Sequence, residues 1–280
     1  MPAPNTAPTT PNGLLTRPLD LSGARRGGHP PRGPHGCHQD LRQTPRLRAR
    51  TALLATGTRA AVASHHTAAR LHGLALPSTE GPEHVTVPRT YRYLRRHDLR
   101  SHTRALPGHH VTRVNGLPCT TVPRTVLDLA RELPRLPAIW LIEDALHRRL
   151  VTRPDLETCL AELPRSPGDR DLRAHLAAAT GTTGTFLQCA ARIALADAGL
   201  PPFTPSYDLV ADGVTLCTAD GAYPEQRLAL EFQDPARAPH WRWLPLGWRL
   251  KTFTWRDLVH EPARFTTAVS EYLSAHQEPD

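Results

Sequence analysis

Asp220-Gly221-Ala222-Tyr223-Pro224-Glu225 is followed by Arg227-Leu228-Ala229-Leu230-Glu231-Phe232-Gln233 and then by Gly247-Trp248-Arg249-Leu250-Lys251. An acid at the end of one expected strand precedes an acid inside a second. Side chains alternate across a strand, so Leu228, Leu230 and Phe232 take one face and Glu231 and Gln233 the other. If the two strands pair, Glu231 and Gln233 point toward Asp220. Hard cations such as Mg²⁺ take oxygen ligands, so Asp220 and Glu231 are the candidate metal ligands. A cation held there would polarise a phosphate and lower the pKa of a bound water.

Outward from this stretch, the periodicity predicts a helix from Thr185 to about Ala198, closed by Gly199 and Pro201. Strands are expected over Tyr207–Val210, Leu216–Asp220, Arg227–Gln233 and Trp248–Thr254, with Asp212-Gly213 turning the first pair. A last helix runs from about Ala263 to His276. Helix, hairpin, strand, crossover, strand, helix makes a small α/β sandwich over residues 185–276.

Upstream, residues 46–180 read as a mixed domain of strands and helices. Leu53, Leu54 and the alanine-rich run to Ala63 suggest a helix, and His65–Leu74 a second. Glu83–Pro88 alternates polar and apolar as a half-buried strand does, with Leu99–Ala105 as its partner. His110–Thr120 is a strand pair turned at Asn115-Gly116. Three or four helices follow. Val122, Val126, Leu129 and Leu133 share one face, Ile139, Ile142, Leu146 and Leu150 another, and Thr152-Arg153-Pro154-Asp155 reads as a capping box. Asp171–Ala179 is the fourth, and Gly181–Gly184 marks the boundary between the two domains.

Residues 1–45 are rich in Pro, Gly, Thr and Arg and are expected to form a disordered arm. The fold class is therefore α/β of the α+β kind, with two domains behind this arm. The net charge of +8 favours an acidic partner, nucleic acid first, although Lys251 is the sole lysine and part of the arginine excess fits a GC-rich genome. Five scattered cysteines without a CxxC pair suggest neither a zinc knuckle nor a disulfide framework, and a cytoplasmic protein is expected. No apolar run approaches the roughly 20 residues that span a bilayer, so no membrane partner is expected.

Three stretches of the last hundred residues carry a resemblance: AGLPP at 198–202, DGAYPEQRLALEF at 220–232 and GWRLKTFTWRDL at 247–258. Together they are similar to a PD-(D/E)XK domain of the very-short-patch-repair endonuclease type, a restriction-endonuclease-like sandwich. The preceding region resembles the AbiEi-family antitoxins found in actinobacteria. Its carriers are SHHTAARLHGL at 64–74, HVTVPR at 84–89, NGLPCTTVPRTVLDLAR at 115–131 and DALHRRLVTRPDLETCL at 144–160. The first resemblance implies Mg²⁺-dependent endonuclease chemistry at Asp220 and Glu231. The second implies a toxin–antitoxin role with DNA or a cognate, nucleotidyltransferase-type toxin as partner. An N-terminal winged helix is usual there, and Gly13–Gly23 is too short a remnant to be one.

The chain departs from the nuclease pattern. The third catalytic position, usually Lys or an acid, is Gln233, and the helix acid falls at Gln188. Lys251 on the neighbouring strand is the one candidate to replace the missing charge. Prolines 235, 239 and 245 break the link after Asp234. A degenerate, catalytically impaired nuclease fold acting by binding is therefore expected; an active metal-dependent endonuclease and a decayed protein without activity are the alternatives.

Adjacent histidines point apart, so His65-His66 and His109-His110 read as surface residues lacking a third ligand. Tyr91-Arg92-Tyr93-Leu94-Arg95-Arg96 interleaves aromatic rings with arginine, as nucleic-acid surfaces do, and makes Arg92, Arg95 and Arg96 candidate contacts.

Overall fold

The computed structural model describes residues 44–78, 80–91, 95–233 and 247–276, with backbone alone at 95–96. The arm before residue 44, the link 234–246 with Trp241 and Trp243, and Arg92 lie outside the described residues.

Helix α1 (Pro45–Ala55) opens on Thr44, whose side chain accepts from Leu47 N, with Pro45 in the first turn. It leads to β1 (Val62–Ala63) and α2 (His65–His72), which ends on Gly73 at φ 66°. The helix expected to continue to Ala63 stops at Ala55. Gly57 turns at φ 68°, and Val62 and Ala63 become a strand wedged between two others. Then come β2 (Glu83–Val87), β3 (Arg95–Arg96), β4 (Leu99–Thr103), β5 (Val111–Val114) and β6 (Leu117–Thr120). Asn115 and Gly116, both at positive φ, turn β5 into β6 as the dipeptide predicts.

The sheet order is β3-β4-β2-β1-β6-β5, with β2/β4 and β1/β6 parallel and the remaining pairs antiparallel. All five residues of β2 are buried, so the half-buried strand read from its alternation is a covered one. Val85 packs with Ala52 of α1 and Leu99 on one face. The opposite face carries His84 and Thr86 against the start of α2.

Four helices follow: α3 (Val122–Ala130), α4 (Arg135–His147), α5 (Arg153–Glu162) and α6 (Asp169–Ala178). The Thr152–Asp155 capping box forms at the start of α5, its hydroxyl accepting from Asp155 N and its own amide donating to the Asp155 carboxylate. Val126, Leu129, Ile139, Ile142, Leu156 and Leu160 meet in the main apolar core.

A second capping box, Thr185 with Gln188, starts α7 (Phe186–Asp197). Strands β7 (Thr204–Ala211), β8 (Val214–Tyr223), β9 (Leu228–Gln233) and β10 (Arg249–Thr254) form a sheet in the order β10-β9-β8-β7, and α8 (Pro262–Ala275) closes the described chain. Only the β9/β10 pair is parallel. Leu228, Leu230, Phe232 and Phe253 face α7 and α8, where Leu195, Phe265 and Val269 complete a second core. Helix α7 belongs to both cores: Phe186, Cys189 and Ile193 enter the first, Ala190, Ala191 and Leu195 the second. The molecule is thus a mixed α/β fold with two mixed sheets.

Candidate functional site

The β8/β9 register pairs Tyr223 with Leu228, Ala222 with Ala229 and Gly221 with Leu230. The paired rungs stop there, with Asp220 and Glu231 the next residues on the two strands. Asp220 Oδ2 accepts from the backbone amide of Phe232 at 2.8 Å. A carboxylate oxygen that closes the sheet in this way serves the fold.

Gln188 reaches the same place from α7. Its Oε1 accepts from the amides of Gly184 and Thr185, and its Nε2 donates to the Asp220 carbonyl at 2.7 Å and to Ser206 Oγ at 3.1 Å. All of these bonds cap the helix and pin it to the sheet. None reaches the Asp220 carboxylate.

Glu231 and Gln233 lie on the face of β9 away from α7 and α8, beside Ala229. Glu231 Oε2 and Gln233 Nε2 are buried and have no hydrogen-bond partner among the described residues. Lys251 does not join them. In the parallel β9/β10 register it stands beside Leu230, on the opposite face, and its Nζ donates to Ala268 O of α8 at 3.2 Å and lies 5.7 Å from the centre of the Tyr272 ring. The expectation that Lys251 could replace the missing site charge is corrected by pleat alternation: in a parallel pair, register partners share a face.

The oxygens of Asp220 and Glu231 match Mg²⁺ in type. The orphaned Glu231 Oε2 is the kind of atom a cation would satisfy. The set is nevertheless one carboxylate committed to Phe232, one carboxylate with an unpartnered oxygen, and a neutral amide, with the nearby lysine on the far side of the sheet.

A different cluster forms in the six-stranded sheet. His65 opens α2, and His84 and His102 share a face of the parallel β2/β4 pair, whose register sets Thr86 beside His102. The three rings offer nitrogens all within 4.8 Å of one another. His102 Nε2 is 3.1 Å from His84 Nδ1, and the His65 and His102 rings stack at 3.7 Å. Burial is the main cause that holds all three below the ordinary histidine range. His84 falls to about 3, with His66, His102 and Arg100 adding to the effect, and His102 to about 4, with Arg100 and Arg104 adding. His65 lies well below its usual value, with His102 and His84 the next causes. His65 is 1% exposed, so the surface position expected for it is overturned.

The second histidine pair is likewise drawn into a network. His109 and His110 both place Nε2 2.8 Å from Glu162 Oε2. His110 is buried, with Arg124 3.3 Å away on its other ring nitrogen, and Arg124 pairs with Asp128 at 2.8 Å. Both third ligands escaped the sequence reading because they come from distant segments. The only signal was a histidine in each of two strands, His84 and His102, which share a face once their parallel register is known.

A cleft of about 410 Å³ lies at neither place but beside the turn before α7, lined by Thr180, Thr183, Arg192, Leu200 and Phe203. The carboxylate of Glu143 spans the wall next to it. Oε2 accepts from Thr180 N at 2.6 Å and pairs with Arg192 at 3.2 Å, and Oε1 accepts from Thr183 N at 2.9 Å and Thr183 Oγ1 at 2.8 Å. Of the candidate nucleic-acid contacts, Arg95 and Arg96 form β3, antiparallel to β4, and Arg92 lies outside the described residues.

The run from β1 into α6 holds the whole six-stranded sheet and both histidine clusters. Residues 60–175 match the AbiEi antitoxin C-terminal domain. Over 177 residues the chain is also 29% identical to an uncharacterized protein present in two strains of Mycobacterium tuberculosis. The matched segment is 59% of this chain and 65% of that relative, so the chain spans just under two thirds of the relative's length. No solved structure matches. The AbiEi-type region ends before α7, so the Asp220–Glu231 region stands on its own geometry and on the sequence resemblance. Among the described residues, no helix is long and apolar enough to cross a membrane.

Proposed function

We propose that the protein is an antitoxin-type regulator that acts by binding a cognate toxin protein, with its C-terminal sheet serving as a binding platform. The observation that carries this reading is the AbiEi antitoxin match over residues 60–175. Two features support it. At the nuclease-like position Asp220 and Gln188 are engaged in holding sheet to helix, and Lys251 is engaged with α8. The β7/β8 hairpin exposes Val210, Val214 and Leu216, apolar surface of the kind that protein partners cover. The test is co-expression with the product of each adjacent reading frame. A neighbour that arrests growth alone and is relieved by this chain supports the reading; if no neighbour is toxic and rescued, it fails.

A second reading, a metal-dependent DNA endonuclease, is favoured by one observation, the unpartnered Glu231 Oε2 on the strand that pairs with the strand of Asp220. The net charge of +8 would favour its substrate. Incubation of the purified chain with plasmid and with mismatched duplex in Mg²⁺ or Mn²⁺ decides between the two. No cleavage above background is expected. Cleavage that disappears in both Asp220→Ala and Glu231→Ala would replace the binding reading with the enzymatic one.

A further inference from the structure

We propose that His65, His84 and His102 form a binding site for a borderline divalent transition ion of the Zn²⁺ class, with the Glu132 carboxylate as fourth ligand. Zn²⁺ holds imidazole nitrogens at about 2.0–2.1 Å, so two ligands of a tetrahedral ion stand about 3.3 Å apart. His84 Nδ1 and His102 Nε2 are already 3.1 Å apart, and a nitrogen of His65 lies within 4.8 Å of both. Glu132, at the end of α3, places Oε1 3.6 Å from His65 Nε2.

The surroundings suit such a site. His65 Nδ1 lies 3.1 Å from Ser64 Oγ, which also accepts from Thr86 Oγ1 at 2.9 Å. In the tautomer whose Nδ1–H donates to Ser64 Oγ, His65 Nε2 presents its lone pair to an ion. His65 and His84 are buried and His102 is half-buried, and a neutral imidazole is the form that binds metal. Imidazole with one carboxylate suits Zn²⁺, Co²⁺ or Ni²⁺ better than Mg²⁺ or Ca²⁺. Arg100 and Arg104 oppose a dication and lower its affinity, while the Glu132 carboxylate would offset part of that charge.

Without an ion, three neutral rings are packed together with two of their nitrogens at hydrogen-bond distance. An ion would convert that contact into bonds joining α2, β2 and β4, the elements at the centre of the AbiEi-type region. The other cluster, His109, His110 and Glu162, is the weaker candidate. Its single carboxylate oxygen is already shared by both rings, and His110 is also engaged with Arg124.

The test uses the full chain without a histidine tag, stripped with chelator and titrated with Zn²⁺ by calorimetry, with Co²⁺ as a visible-absorption probe of tetrahedral geometry. One ion per chain is expected, with a higher Tm and the d–d absorption of tetrahedral Co²⁺. Ser64→Ala should weaken binding about 10–100-fold, and His102→Gln, which removes a ligand, by more than about a hundredfold. His109→Ala should leave it unchanged. Imidazole NMR of the wild-type chain gives a readout that does not depend on a variant folding: Zn²⁺ should shift the resonances of His65, His84 and His102. No binding, shifts confined to His109 and His110, or undiminished affinity in folded His102→Gln would each overturn the proposal.

Discussion

Glu143 shows how one buried side chain can organise a turn. It is fully buried on α4, and its two oxygens gather the backbone amides of Thr180 and Thr183, the Thr183 hydroxyl and Arg192. Burial alone would raise its pKa. The amides of Gly181, Thr183 and Thr180 and the Thr183 hydroxyl outweigh that and hold it below the ordinary range. A depressed folded pKa stabilises the fold fully above the unfolded carboxyl's value of about 4.3, and this contribution is lost as pH falls through the lower folded value. Glu143→Gln keeps the shape and loses the charge, so it should cost about 2–3 kcal/mol at pH 7. The deficit should shrink toward pH 3, because below about 4.3 the unfolded carboxyl takes up a proton more readily than the folded one. Urea melts of both proteins at pH 7 and pH 3 check this; an equal deficit at both would refute it. Nothing in the sequence marks Glu143, since its partners lie 37 to 49 residues away.

At the scale of elements, local chemistry was easiest to read. The turn at Asn115-Gly116, the capping box at Thr152, the αL stop at Gly73 and the strands around Asp212-Gly213 all form where short-range rules place them. The α7 capping box adds a tie that reading missed: Gln188 caps the helix and also binds the Asp220 carbonyl. Thr185→Ala removes the acceptor for Gln188 N and should cost about 1 kcal/mol. Gln188→Ala should cost more than Thr185→Ala, because it also frees a half-buried carbonyl of β8. Chemical denaturation of the two variants side by side measures the difference, and equal losses would show that the tie to β8 contributes nothing. The helix expected to extend to Ala63 failed at this scale, because alanine-rich sequence suits a helix locally while sheet pairing claimed Val62 and Ala63.

Across the whole molecule, α7 joins the two cores. Phe186 stacks on Trp255 at 5.0 Å and meets Trp140 edge-on at 6.1 Å, linking the helices of the first core to the end of the second sheet. Arg135 and Asp197 add a two-pronged surface pair between α4 and α7 at 2.6 and 2.7 Å. Phe186→Ala should therefore cost about 3–5 kcal/mol. Wild type should unfold in one transition seen alike by tryptophan fluorescence and far-UV circular dichroism. Two separated transitions in the wild type would show that the regions on either side of residues 181–184 are held together by less than this packing implies.

The sequence by itself determined the kinds of elements, most of their ends, the mixed α/β class and the pairing of the two strands that carry Asp220 and Glu231. These follow from periodicities of two and 3.6 and from caps and turns that act within a few residues. Tertiary structure alone decided which side of a strand mattered. Parallel register put Lys251 on the helix-covered face, away from Glu231, and brought His102 to His84 and His65 from three separate segments. Register and face are fixed by packing between segments far apart in the chain, so a carboxylate pair that pattern could find became a closing contact of the sheet. A histidine cluster that no local pattern could reveal took shape in the other sheet.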